Sequence, residues 1–197
     1  MRKLAVLTAL VTAACASLPA RPAPGVAEAA LEARSYSAEL GVRLRGRDWR
    51  GRGRVLVACA RPDALRIEVP GPAGARLVAV TRAGRLTAVF PPERAFYEGQ
   101  ARADELRDLL GLALEPAEVM DLLLGRGSPR LARYQVGWGL TAPARVEATL
   151  PDGAQLELRV REPELGVELP EQAFAPPAHA GYRALGRDEA RQMWSRP

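Results

Sequence analysis

From Tyr36 to Arg45 the chain alternates without a break: Tyr36, Ala38, Leu40, Val42 and Leu44 are separated by Ser37, Glu39, Gly41 and Arg43. A period of two sends the two sets to opposite faces of a strand. Ten residues of it demand a sheet with one apolar face and one wet face. The pattern recurs. Leu65, Ile67 and Val69 alternate with Arg66 and Glu68; Val146, Ala148 and Leu150 with Glu147 and Thr149; Leu156, Leu158 and Val160 with Glu157 and Arg159. Arg54 to Ala60 reads as a strand apolar on both faces at its centre. Arg76–Thr81 and Arg85–Phe90 flank Ala83-Gly84, a hairpin signal, and Ala95–Glu98 is a further short strand. Gly46–Gly53, Pro70–Gly74 and Pro151–Gly153 read as turns.

The middle of the chain changes period. Arg102–Leu110 and Pro116–Leu124 are helical candidates, with Leu106, Leu109 and Leu110 on one face and Val119, Leu122 and Leu123 on another. Pro116 suits a first helical turn, and Gly125 to Ser128 closes the pair. Strands then return at Leu131–Leu140, which Gly137 and Gly139 weaken. No helix alternates with the strands, so a doubly wound parallel fold is excluded. The expected class is mainly β with a small helical insertion: an incomplete antiparallel β-barrel, or half-barrel, with a helical lid.

The first 14 residues read as a signal peptide, with Arg2 and Lys3 ahead of an uncharged stretch, Leu4 to Ala14, too short to span a bilayer. Two endings compete. Val11-Thr12-Ala13-Ala14-Cys15 resembles a lipobox, which makes Cys15 a lipid anchor, although Thr12 stands where leucine is commonest. Ala14-Cys15-Ala16 is also an A-x-A site, which would release a soluble periplasmic protein. With the anchor, the chain sits in the cell envelope, at the periplasmic face of the outer membrane. Residues 15–26 form a Pro/Ala-rich tether, 27–186 the folded domain, with a short helical candidate at Ala27–Arg34, and 187–197 a tail with a helical candidate at Arg187–Trp194.

Chemistry is sparse. One histidine and two cysteines exclude the usual zinc sites; no metal and no cofactor is expected. His179 lies in a Pro/Ala loop and is expected on the surface. Cys59, inside an apolar run, reads as a core residue. No G-x-S-x-G elbow occurs, and Gly125-Arg126-Gly127-Ser128 lacks the lysine of a phosphate loop. Asp104, Glu105, Asp108, Glu115, Glu118 and Asp121 read as a solvated helix surface. The chain is therefore expected not to be an enzyme. Removing Arg2 and Lys3 with the leader leaves 26 basic against 23 acidic residues, a mild surplus. The arginines look scattered and aromatics are 5% of the chain, so a nucleic-acid partner is not expected.

What remains is one apolar face under a lid smaller than the sheet it covers. The inward residues are mostly medium-sized aliphatics, which leaves two readings: an open cavity, or a face filled by its own side chains.

Three stretches resemble the LolA/LolB lipoprotein-carrier superfamily, and its LolB-like lipoproteins in particular. They are the opening strand and its glycine-arginine turn, Tyr36 to Arg54; the junction Phe96-Tyr97-Glu98-Gly99 with the helical pair and its Leu122-Leu123-Leu124-Gly125 ending; and the closing run Leu169 to Pro177. The resemblance implies a half-barrel of about eleven strands whose interior takes acyl chains of lipoproteins or lipids in transit, with a periplasmic LolA-like chaperone as partner and lipoprotein localisation to the outer membrane as the role. The residues expected to meet an acyl chain such as palmitate are Leu40, Val42, Leu44, Leu65, Ile67, Val69, Leu86, Leu156 and Leu158. In that family an exposed apolar residue on a protruding loop aids delivery; the matching loop here, Pro70 to Ala75, holds only proline, glycine, alanine. The alternative is a non-catalytic structural or interaction lipoprotein with a filled core.

Overall fold

A computed structural model describes residues 21–47 and 50–195. The leader, Cys15 and the first part of the tether lie outside the described residues. Ten strands form one sheet: β1 (Ser35–Arg45), β2 (Arg50–Ala60), β3 (Ala64–Gly71), β4 (Gly74–Arg82), β5 (Arg85–Phe90), β6 (Ala95–Gln100), β7 (Arg133–Trp138), β8 (Pro143–Thr149), β9 (Gln155–Leu165) and β10 (Arg183–Ala184). Their order across the sheet is β10-β6-β5-β4-β3-β2-β1-β9-β8-β7. Each neighbour pair is antiparallel except β10 with β6. The chain therefore meanders from β1 to β6, crosses through helices, and meanders back so that β9 lies against the free side of β1. Among the described residues no pairing joins β7 to the β10 edge, so the sheet stays open.

The helices are α1 (Val26–Glu32), α2 (Ala103–Leu110), α3 (Pro116–Leu123) and α4 (Arg187–Ser195). The expected class, an open half-barrel with a helical lid, is the architecture found. The strand number is ten among the described residues rather than about eleven. Two boundaries differ from expectation. β2 begins at Arg50, so the second half of the expected Gly46–Gly53 turn is strand; β1 has eleven paired residues and draws Arg50 to Gly53 into register opposite Arg45 to Val42. β9 runs on to Leu165, past a bulge opposite Ser37 and Glu39.

Alternation sorts the faces as read. Leu40, Leu44, Leu65, Ile67, Leu86, Leu156 and Leu158 are all buried on the concave side, where Leu106 and Leu109 of α2 and Val119, Leu122 and Leu123 of α3 meet them. Cys59 is in this core, and burial pushes its thiol up to about 12. On the convex side the segment around Phe174 packs on Val78 and Val80 of β4, with Ala64 of β3 and Ala58 and Ala60 of β2 beside them.

The acids of the helical region are partly solvated, Asp104 fully at the surface, but they are also paired. Asp108 accepts from Arg187 at 2.8 Å, and Asp104 from the same guanidinium at 2.9 Å, which joins α4 to α2. The hydrogen bond from Arg187 holds the Asp104 carboxyl below the usual range. Asp121 pairs with Arg61 at 2.6 Å, tying α3 to the sheet. Glu115 and Glu118 close a capping box at the start of α3, and Glu118 also takes Ser128 and Arg130. Each carboxylate is spent on holding the lid. His179 also differs from expectation: it is half-buried, its ring 4.5 Å from that of Phe96.

Candidate functional site: an apolar cavity under the lid

Between the concave face and the lid lies a cavity of ≈ 500 Å³, within the size range of small-molecule sites. Its floor comes from β1, β2, β3 and β9. Inward positions of β1 supply Leu40, Val42 and Leu44; the strands either side supply Val55 and Val57, Ile67 and Val69, and Leu156 and Leu158. Its roof is Leu110, Leu112, Leu114, Val119, Leu122 and Leu123, and Trp194 of α4 closes one side. Of the nine expected residues, seven line the cavity. Leu65 and Leu86 do not: both are 1% exposed, packed on the part of the face that the lid covers directly.

Sequence reading missed the roof and much of β2. The leucines of α2 and α3 were legible as apolar faces. Leu112 and Leu114, in the link between those helices, carry no periodic signal. Trp194 sits near the end of the chain, far from any expected strand.

The cavity opens beneath the outer half of the β1–β2 hairpin. There the inward positions of β2 are Gly51 and Gly53, opposite Leu44 and Val42. A Cβ on either glycine would meet nothing within 4 Å, so two absent side chains leave the mouth open. The charged residues of the lining are all arginines: Arg50, Arg52, Arg54 and Arg76. By register the first three send their side chains to the convex face and reach the cavity through backbone. The Arg76 guanidinium lies 5.7 Å from the Trp194 ring centre, a cation–π contact at the rim. Among the described residues no serine, cysteine, histidine, aspartate or glutamate lines the cavity.

Two glycines lock the lid, and both lie in stretches singled out above. Glu105 of α2 accepts from the Tyr97 hydroxyl at 2.8 Å and from the Gln100 amide at 3.0 Å. Burial, then this hydrogen bond, pushes the Tyr97 phenol up to about 12. The hook closes directly over Gly99, where a Cβ would collide with both Glu105 and Tyr97. At the end of α3, Gly125 has φ +85°, and the Trp138 ring occupies the place of its Cβ.

Fold and cavity together define an open antiparallel half-barrel with a lidded apolar interior. No family model matches the chain, and no curated protein matches it. Among solved structures 43 chains match. One is a LolA superfamily protein from Nitrosomonas europaea, 15% identical, with a TM-score of 0.45 over 80% of this chain and 99% of that one.

Proposed function

We propose that the cavity binds acyl chains, and that the protein is a non-catalytic carrier of lipids or of lipoprotein acyl groups in the cell envelope. The observation that carries this reading is the cavity itself: an open space walled by aliphatic side chains from four strands and the lid, with no nucleophile or acid among its described lining residues. Burial is worth about 0.8 kcal/mol per CH₂, so a chain of about 16 carbons amounts to roughly 12 kcal/mol. Contact of this kind is non-directional, which suits holding and releasing a cargo. The test is titration of the chain with a fluorescent fatty acid, followed by displacement with unlabelled palmitate. Saturable, displaceable uptake supports the proposal; no uptake by folded protein contradicts it and favours a structural envelope lipoprotein.

The role in lipoprotein localisation to the outer membrane, with a LolA-like chaperone as donor, belongs to the same proposal and rests on the sequence resemblance. So does the anchor at Cys15. Metabolic labelling with a fatty-acid analogue is expected to mark the chain and to be lost in Cys15→Ser; labelling that persists in the variant refutes the anchor.

A further inference from the structure

Strand pairing gathers arginines that look scattered in the sequence. Residues 43–54 contain six arginines and one aspartate. On the convex face Arg43 stands directly opposite Arg52, and Arg45 opposite Arg50. One strand further, Arg159 of β9 stands opposite Arg145 of β8. Like charges directly opposite one another weaken a sheet, so this arrangement works against folding.

The relief inside the chain is partial. Glu157 pairs with Arg43, Arg145 and Arg159 at 3.1–3.4 Å, Glu39 with Arg54 and Arg161 at 3.4–3.5 Å, and Glu147 with Arg145. Arg45, Arg47, Arg50 and Arg52 are exposed and pair with no described carboxylate. Among the described residues the C-terminal segment packs on β3, β4 and the Ala58–Ala60 end of β2, away from these arginines. The same hairpin carries the mouth of the cavity, at Leu44, Gly51 and Gly53.

We propose that the arginine-rich hairpin docks the protein on an anionic lipid bilayer through its outer end, beside which the cavity also opens. This rests on the acyl-chain reading of the cavity. Head-group phosphates supply counter-charge to arginines that no described carboxylate pairs. A bilayer offers anionic head groups and acyl chains within one hairpin's reach, which neither nucleic acid nor an acidic protein does. The convex faces of β1, β2 and β9 hold no described aromatic side chain, whereas surfaces that bind single-stranded nucleic acid stack bases on aromatics.

The experiment is vesicle co-sedimentation of the full chain, with Cys15→Ser in every sample so that no acyl anchor contributes. Vesicles are phosphatidylcholine alone or phosphatidylcholine with phosphatidylglycerol. The parent is expected to prefer the acidic vesicles and to lose that preference as salt rises. Replacing Arg43, Arg45 and Arg47 by serine should weaken acidic-vesicle binding about fivefold per arginine, roughly a hundredfold for three. The variant should melt close to the parent, since relief of two like-charge oppositions offsets loss of the exposed Arg43–Glu157 pair, and should take up the fluorescent fatty acid as before. Unchanged vesicle binding by the folded variant overturns the proposal. So does equal parental binding to neutral vesicles, or tighter binding to polyglutamate or a DNA oligonucleotide at the same salt. Loss of vesicle response with uptake intact refutes the docking alone; absence of uptake by the parent refutes the carrier reading on which the docking rests.

Discussion

A tryptophan at position 53 is expected to close the cavity while leaving the fold intact. Gly53 lies opposite Val42 on the concave face, and its missing Cβ points into open space. A side chain added there meets no backbone, and tryptophan is at home in a strand. Buried tryptophan covers about 150–250 Å². At about 25 cal/mol per Å², that is roughly 4–6 kcal/mol of apolar contact withdrawn from an incoming chain. Since about 1.4 kcal/mol is tenfold in affinity, Gly53→Trp should weaken fatty-acid binding at least tenfold. Leu56→Trp, on the same strand but facing outward and already 42% exposed, should leave binding unchanged. Full affinity in folded Gly53→Trp would mean that the ligand enters elsewhere.

The second large effect is on stability. Gly125 ends α3 in the left-handed region, φ +85°, with the Trp138 ring 2.5 Å from the place of its Cβ. Left-handed backbone costs an L-residue about 1–2 kcal/mol, and crowding a packed site a further 1–3 kcal/mol or so. Trp138 is 5% exposed and has little room to yield. Gly125→Ala should therefore destabilise by about 2–5 kcal/mol and lower Tm by roughly 4–20 °C for a domain of this size. Gly153→Ala is the internal control. It has the same φ but open space around its Cβ, so it should show the backbone cost without the crowding. Equal losses at the two sites would remove Trp138 from the account.

Much of the sheet was legible because alternation is a local signal. Tyr36 to Leu44 declares its face one residue at a time, and so do Leu65 to Val69 and Leu156 to Val160. The glycine-arginine run at Arg50 to Gly53 declares nothing: glycine is a poor strand former, and that run becomes strand because β1 lies beside it. The cavity shows the same division. That Leu65 and Leu86 point inward could be read; that the lid rests on them, and stands off Val42 and Val69, depends on where α2 and α3 are pinned. The pins are Arg187 on Asp104 and Asp108, Arg61 on Asp121, and Glu105 over Gly99. These contacts join residues between 6 and 83 positions apart. Read singly, those acids look like a solvated surface. The convex arginines looked scattered for the same reason, because register alone places Arg43 against Arg52.

The half-barrel also explains why the interior can stay open. A closed barrel of about eight strands has room only for its own side chains or one small ligand. Here the sheet stops short of closure, and the lid supplies the remaining wall from two short helices. Glycines at positions 51 and 53 then leave the last gap at the mouth. The cavity is thus a product of what the chain omits as much as of the leucines that line it.

Native mass spectrometry of the full chain, purified from cells without added lipid, tests the central claim most directly. The account predicts a mass surplus equal to a fatty acid or phospholipid, released on activation in the gas phase and absent in Gly53→Trp. A bare polypeptide mass that also fails to rise when palmitate is added would contradict it, and the sheet would then be a packed face with no cargo.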